Sequence, residues 1–400
     1  MKASPGKRRR VLIIVENLPL PFDRRVWQEA LALRDAGYQV SIICPQGRGF
    51  TRSYELLDDI HIYRHPLTVE ADSALGYGLE YSLSLFWEFV LAVRIALTRG
   101  FDIIHACNPP DTIFLVGGFF KLFGKRFIFD HHDINPELYE AKFQRRDVWY
   151  RMLRLLERWT FATADVSIAT NESYRRVALG RGGMAADRVF VVRSGPDLSR
   201  LRRVPPREEL RRGKHYLVGY VGVIGKQEGL DLLLEAVAHL RNQLSRSDVH
   251  FVIIGSGTEL PALRVMTREL GLEDCVEFTG PVSDHELWEI LGTADVCVNP
   301  DRANEMNDKS TMNKILEYMA LAKPIVQFDL TEGRYSAADA SLYARPNDTR
   351  DFAEQLSALL DDPERRRHMG EIGRARVEGE LAWHHQVPKL LAAYDKAFAD

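Results

Sequence analysis

Residues 11–44 read VLIIVENLPLPFDRRVWQEALALRDAGYQVSIIC. Val11–Val15 is a short, uninterrupted apolar run of the kind that forms a strand buried on both faces. Arg25–Ala36 then carries apolar residues at helical spacing, with Val26, Ala30, Leu31 and Leu33 turned inward, and Gly37 closes the helix. Val40–Cys44 is a second apolar run. Strand, helix and strand in this order make a βαβ unit. The pattern recurs in strand-like runs at 103–106, 127–130, 166–169 and 189–192, with helical segments at 79–99, 112–122 and 148–163. Such alternation specifies an α/β fold with an open, mostly parallel sheet and helices on both faces.

At Gly195-Pro196 the alternation stops. Residues 196–213, rich in proline and arginine, read as a linker. A second α/β unit then begins, with strands expected at 217–221, 250–254, 276–279, 295–299 and 324–328. Its helices are expected at 230–242, 259–270, 284–291 and 311–321, and the chain after Asn347 reads as helical to its end. The expected organisation is an N-terminal Rossmann-like domain over 1–195, a linker over 196–213 and a second Rossmann-like domain over 214–380. A terminal helix from about 381 to 400 completes the first domain. In tandem units of this kind ligands bind beyond the carboxyl ends of the strands, which predicts an interdomain cleft.

With 400 residues, and about 150 per domain, the length also suits two domains. A formal net charge of −3 excludes a general nucleic-acid binder. Local basic clusters at Lys7–Arg10 and Arg200–Lys214 read as solvated segments or as contacts with an anionic membrane or lipid-linked substrate. The most apolar long segment, Tyr81–Leu97, carries Glu88 and Arg94. It therefore reads as a buried or membrane-surface helix and not as a span. Cys44, Cys107, Cys275 and Cys297 form no metal-ligand spacing and suit a reducing, cytoplasmic compartment, and no signal peptide is visible.

Three stretches carry candidate chemistry. Asn307–Ala320 runs from a polar turn into a helix that Ser310 or Thr311 can cap, and Pro324 ends it. A loop entering a helix offers backbone N–H groups and a positive dipole end to an anion. Glu317 follows Asn313 by four residues, so both project from one face; the same spacing suits an ordinary capped helix with a solvated Glu. Asp130-His131-His132-Asp133 follows a strand, where a histidine can bond a sugar hydroxyl or phosphate while a neighbouring Asp sets its tautomer. Adjacent histidines in extended chain point to opposite sides, which disfavours a shared metal ion. Gly222–Gly229 holds three glycines, Gly225 among them, with Lys226 available to a diphosphate. It lacks the Walker ending, the first βα loop lacks the dinucleotide glycine pattern, and no nucleophile-elbow serine is present.

The segments FDRRVWQEALALRDAGYQVSIICP, FDHHD, ADVSIATNESY, VVRSGPD, FVIIGSGTELPALRVMTRELGLEDCVEFTGPVSDHELWEILGTADVCVNP and NKILEYMALAKPIV, in this order, resemble retaining glycosyltransferase family 4. That family has the GT-B fold of two facing Rossmann-like domains. The resemblance implies sugar transfer with retention from a nucleotide-diphosphate sugar, a UDP- or GDP-sugar, without metal or cofactor, to a glycan or lipid-linked acceptor of surface-polysaccharide type. By position, Glu317 matches the residue on the donor ribose. Ser310, Thr311 and Asn313 match the donor phosphate and sugar contacts, and Gly280–Val282 the segment near the base. His132 matches the histidine near the transferred sugar, with Asp130 and Asp133 beside it. The chain departs from the family where Lys309 replaces the first Glu of a carboxylate pair. The loop cations fall at Val223 and Glu228, leaving Lys226 as a partial substitute. A non-catalytic sugar-nucleotide-binding protein, or another GT-B enzyme such as a nucleotide-sugar epimerase, is the alternative reading.

Overall fold

The computed structural model describes residues 9–66, 74–201 and 204–399, for 74–81 the backbone alone. The chain divides into two compact units, Met1–Ser194 with Gln386–Asp400, and Gly195–His385.

Among the described residues the first unit has eight strands: β1 (Arg10–Ile14), β2 (Gln39–Pro45), β3 (Tyr54–Leu57), β4 (Ile60–His65), β5 (Ile103–Cys107), β6 (Arg126–His131), β7 (Val166–Ala169) and β8 (Val189–Val191). Their order is β3-β4-β2-β1-β5-β6-β7-β8, and every neighbouring pair is parallel except β3 with β4. Val11–Ile14 of β1 and all of β5 are buried, which is why these runs are apolar without alternation. The helices are α1 (Arg24–Asp35), α2 (Ala74–Thr98), α3 (Phe114–Lys121), α4 (Asn135–Phe143), α5 (Val148–Thr163) and α6 (Glu172–Gly180). Asp23 caps α1 by accepting from the Val26 N–H at 3.1 Å. The inward face of α1 differs from the apolar pattern. Trp27, Glu29 and Ala32 are buried with Val26, Ala30 and Leu33, while Leu31 is only half-buried. The helix is rotated to bring Glu29 into the charged cluster described below.

The β3–β4 hairpin is absent from the sequence reading. Its two-residue turn, Asp58-Asp59, has both residues at positive φ, 48° and 61°, without the glycine that signals such a turn. On α2, Glu88 is buried and Ala92 and Ile95 face the core. Tyr81 lies outside the side chains described. Among the described residues no helix is long and apolar enough to cross a membrane.

The second unit has six parallel strands: β9 (Tyr216–Val221), β10 (Val249–Ile254), β11 (Val276–Gly280), β12 (Val296–Asn299), β13 (Ile325–Phe328) and β14 (Ser341–Ala344). Their order is β11-β10-β9-β12-β13-β14. Helices α7 (Leu230–Asn242), α8 (Leu260–Glu269), α9 (Asp284–Thr293), α10 (Glu305–Lys309), α11 (Asn313–Ala320) and α12 (Thr331–Ala337) connect them, and α13 (Thr349–Leu360) and α14 (Pro363–Arg376) follow the last strand. One core joins Leu233 and Phe352 to Phe251 and Phe328; the other joins Leu291 and Met319 to Leu217 and Ile325. Each face of the sheet is thus covered. The last helix, α15 (Trp383–Ala399), contributes its residues from Gln386 onward to the first unit. There Leu390, Ala393, Tyr394 and Ala397 are buried, and Tyr394 meets Tyr38 edge-on at 5.5 Å.

The basic stretch after Pro206 is fastened to the second unit by ion pairs. Arg207 bonds Glu289 at 2.9 Å, Arg211 bonds Asp295 at 2.5 Å, and Arg212 bonds Glu277 at 3.0 Å. Arg202 and Arg203 lie outside the described residues. So do Lys7 and Arg8 of the N-terminal cluster, whose Arg10 bonds Asp102.

Candidate functional site

In the second unit the carboxyl ends of β9, β10 and β11 are joined backbone to backbone. Gly222 N–H donates to the Ile254 carbonyl at 3.0 Å, Ile224 N–H to Ser256 at 2.9 Å, and Gly255 N–H to Gly280 at 3.1 Å. A Cβ on Gly255 would stand 1.8 Å from the Gly222 carbonyl oxygen, and one on Gly229 would stand 2.1 Å from that of Pro300. Both positions also have positive φ, 137° and 62°. The glycines of this region therefore serve close loop packing as well as any ligand. Gln227 ties the glycine loop to the segment before α10. Its carbonyl accepts from Arg302 N–H at 3.0 Å and from Asn307 Nδ2 at 2.9 Å.

Lys314 is the cation built into this corner, and the sequence reading passed over it. Its Nζ lies 2.8 Å from Asp301 Oδ1, 3.4 Å from the Tyr220 hydroxyl and 4.8 Å from the Tyr220 ring centre. A Cβ on Gly222 would touch its Cε at 3.4 Å. Burial opposes the charge on Lys314, but Asp301 and Tyr220 outweigh it and keep the amine protonated. Burial likewise raises the Asp301 carboxyl, and Lys314 pulls it back. Glu228, where the family resemblance calls for a cation, is raised by burial and then drawn down by Lys314. Lys226 is exposed.

The segment before α11 is organised differently from the sequence expectation. Residues 305–309 are not a turn; they form the short helix α10, capped by Asn304, which accepts from Asn307 N–H at 2.9 Å. Ser310 and Thr311 do not cap α11. Its N-cap is Met312, with no side-chain bond to the first turn, and the Ser310 hydroxyl donates back to Met306 O at 2.8 Å. Lys309 pairs with Glu305 at 2.7 Å, one turn earlier on α10. Asp308 holds the start of α12, accepting from the Thr331 N–H and hydroxyl. On α11 itself Asn313 is exposed and Glu317 half-buried, one turn apart. Tyr318 anchors the helix: its hydroxyl accepts from Val221 N–H at 3.0 Å and donates to Val298 O at 3.3 Å. Gly280 ends β11 at a φ of 76°, and Val282 packs on the core beneath.

In the first unit the end of β6 carries a dense charged cluster. Asp130 is fully buried. It receives Arg25 Nη2 at 3.0 Å, stands 2.6 Å from His132 Nε2 and lies 3.3 Å from His105 Nε2. Burial pushes the Asp130 carboxyl up, but Arg25, His132 and the two histidine hydrogen bonds hold it well below the usual range. His132 Nε2 is also 3.0 Å from Arg25 Nε, and one nitrogen cannot donate and accept through the same position. The shorter, charge-assisted contact assigns the Nε2 proton to the Asp130 side; in the neutral ring Nδ1 is then the acceptor. His105 is bracketed by Asp130 and the Tyr394 hydroxyl, 2.7 Å from Nδ1, and burial lowers its affinity for a proton. Glu29 lies 3.1 Å from Arg25; burial raises its carboxyl well above normal.

Among the described residues the Asp133 carboxylate makes no hydrogen bond to this cluster. Its backbone is held by Asn108, whose Nδ2 donates to Asp133 O at 2.6 Å and whose Oδ1 accepts from His132 N–H at 2.7 Å. Burial raises its carboxyl, with His132 and His131 pulling it down. His131 points to the other side of the strand, 3.5 Å from Glu157. Arg25, His105, Glu29 and Tyr394 escaped the sequence reading as site residues. Only tertiary packing joins residues so far apart in the chain.

Among the described residues two groups come close enough to be considered for a metal: His105, Cys107 and Asp130, and Glu29, Asp130 and His132. Both share Asp130, whose charge Arg25 already compensates, so a dication would have to displace a buried guanidinium.

Residues 23–200 match the family model described as Glycosyltransferase Family 4, and residues 215–362 match that described as Glycosyl transferases group 1. A D-inositol 3-phosphate glycosyltransferase of Nocardia farcinica is 29% identical over 252 residues, covering 60% of this chain and 54% of that protein. An MMP alpha-(1->4)-mannosyltransferase of Mycolicibacterium hassiacum is 25% identical over 279 residues, covering 67% and 64%. The chain thus spans a little over half the length of the first curated relatives it matches. Among solved structures, sucrose-phosphate synthase from Thermosynechococcus elongatus aligns over 98% of this chain and 100% of its own, with a TM-score of 0.80 at 19% identity. Anabaena Alr3699/HepE, in complex with UDP and glucose, aligns over 97% and 100%, with a TM-score of 0.75 at 16% identity. With family matches on both parallel α/β units and full-length likeness to structures of the GT-B fold, the chain belongs to glycosyltransferase family 4.

Proposed function

We propose that this protein transfers a sugar from a nucleotide-diphosphate donor, a UDP- or GDP-sugar, to a hydroxyl of a glycan or lipid-linked glycan, with retention of configuration. The observation that carries the reading is the corner where Lys314 meets the glycine loop at the start of α11. A fixed cation beside a helix start favours a leaving diphosphate without a metal ion. HepE, of the same fold, is a protein with UDP and glucose bound. Glu317 is assigned to the donor ribose, Asn313, Thr311 and Ser310 to the phosphate and sugar, and Gly280 with Val282 to the base. Gly225 and Lys226 are assigned to the loop side of the diphosphate. His132, oriented by Asp130, takes the role of an acceptor for a sugar or acceptor hydroxyl through Nδ1, with Asp133 shaping its loop. The four cysteines are buried and unpaired, which suits a reducing compartment, and we place the reaction in the cytoplasm.

A panel of UDP- and GDP-sugars, with calorimetry for binding and NMR of the anomeric proton in the product, tests this. One donor should bind and turn over, with the product anomer matching the donor. Glu317→Ala should abolish donor binding, and intact binding would mean the donor lies elsewhere. Lys309 favours a second reading, a sugar-nucleotide-binding protein without transfer, because the first carboxylate of the pair is missing and Lys309 is paired to Glu305. Binding without any transfer or slow hydrolysis of the donor would select it; conversion of one donor into another would select an epimerase. Lys309→Ala should weaken donor binding if that amine touches the phosphate.

A further inference from the structure

Helix α5 places its most apolar stripe in solvent. Val148, Met152, Leu155 and Trp159 recur at helical spacing, yet Val148 is 71% and Trp159 46% exposed. The opposite side of the helix, with Tyr150, Thr160 and Phe161, is the one packed inside. Beside the exposed stripe runs a second one, Arg151, Arg154 and Arg158, all exposed. None of the three makes an ion pair among the described residues. They line a cleft of about 850 Å³ together with Arg181, Arg188 and the glycine turn after α6, and no acidic side chain lines it. The apolar surface continues onto α3, where Phe114 contacts Trp159 at 5.7 Å between ring centres. Leu122 and Phe123 just beyond α3 are 81% and 64% exposed. Under Trp149 and Met152 opens a further, mainly apolar pocket of about 520 Å³, bounded by Leu138, Tyr139 and Phe143 of α4.

An apolar stripe that bears Trp159, with Trp149 beside it and arginines that have no acidic partner among the described residues along its flank, suits neither a core nor ordinary solvent. It matches the plane between water and lipid. There indole rings sit at headgroup level, apolar side chains enter the acyl boundary and arginines meet phosphates. The chain as a whole carries a net charge of −3, so an anionic surface would repel most of it and attract this face. We infer that α5, with the end of α3 beside it, docks the first unit onto the surface of an anionic phospholipid bilayer, the helix lying in the plane of the membrane. The docking stands whether or not the transfer reading holds.

The full chain is mixed with vesicles of phosphatidylcholine alone and of phosphatidylcholine with phosphatidylglycerol, at low and high salt, and bound protein is measured by flotation. Binding is expected on the mixed vesicles only, weakening as salt rises. Each of Arg151→Ala, Arg154→Ala and Arg158→Ala should lower partitioning about fivefold. Met152→Gln with Trp159→Gln should lower it about tenfold or more. Circular dichroism checks that the variants are folded. A measurement on the unaltered chain needs no substitution: lipids brominated in the acyl chain should quench part of its tryptophan fluorescence. Absence of binding to the mixed vesicles at low salt, absence of quenching, or unchanged binding of a variant carrying all three arginine substitutions would overturn the inference. So would a second copy as the occupant, seen as a dimer in sedimentation that Trp159→Gln dissociates.

Discussion

Lys314 and Asp301 form a buried pair, so removing one member strands the other's charge. Lys314→Met should cost about 3–5 kcal/mol in a denaturant melt. Adding Asp301→Asn should recover most of that, while affinity for UDP stays lost. A double variant that binds UDP as the unaltered protein does would reduce Lys314 to a structural role. In the first unit His132→Gln should lower kcat by about 10²–10⁴ with little change in melting, because the ring is only partly buried. Asp130→Asn should instead cost stability, since the buried Arg25 guanidinium would lose the carboxylate that compensates it. Glu88 makes a pH prediction. It is fully buried, neither oxygen has a hydrogen-bond partner among the described residues, and burial, then Glu16, push its carboxyl to about 8. Between the unfolded value of about 4.3 and that value the folded state keeps a proton the unfolded chain gives up. Stability from this group therefore falls as pH rises through that window. Glu88→Gln should raise Tm most at pH 8 and least near pH 5; an equal effect at both would refute the buried carboxyl as the cause.

Among the elements, the glycine loops of the second unit are the most sensitive. Gly255→Ala would press a methyl group into the Gly222 carbonyl, and relief requires moving the β9 loop. A loss of about 1–3 kcal/mol from crowding, with added strain at a φ of 137°, is expected in thermal melts, together with weaker donor binding. The helices and strands with long apolar periods were legible. Val148–Thr163 and Leu230–Asn242 begin and end where periodicity placed them. The short elements were not. α10 has five residues and no apolar stripe, and its start is marked only by Asn304. The β3–β4 turn uses Asp-Asp in place of a glycine pair. Cap selection before α11 also misled, because two hydroxyl residues precede the helix and the nearer helix, α10, takes the Ser310 bond.

For the molecule as a whole, the terminal helix is the test of how the chain closes. Tyr394 lies buried in the first unit although 289 residues separate it from its partner His105. Tyr394→Ala should destabilise that unit by about 3–5 kcal/mol, read as earlier proteolysis within residues 9–194 while fragments of the second unit keep their resistance. Alternating apolar runs, the break at Gly195 and the order of the motif blocks were enough to determine two parallel α/β units and the glycosyltransferase family. Burial on both faces of a parallel sheet leaves a periodic trace in the chain itself. The strand ends that carry Asp130 and the glycine loop were legible for the same reason. What only the tertiary structure decided is which ionisable groups meet: Lys314 with Asp301, Arg25 with Asp130 and Glu29, and the arginines of α5 with no acidic partner among the described residues. Charge pairing depends on distances across strands and helices far apart in sequence, and no local period records them.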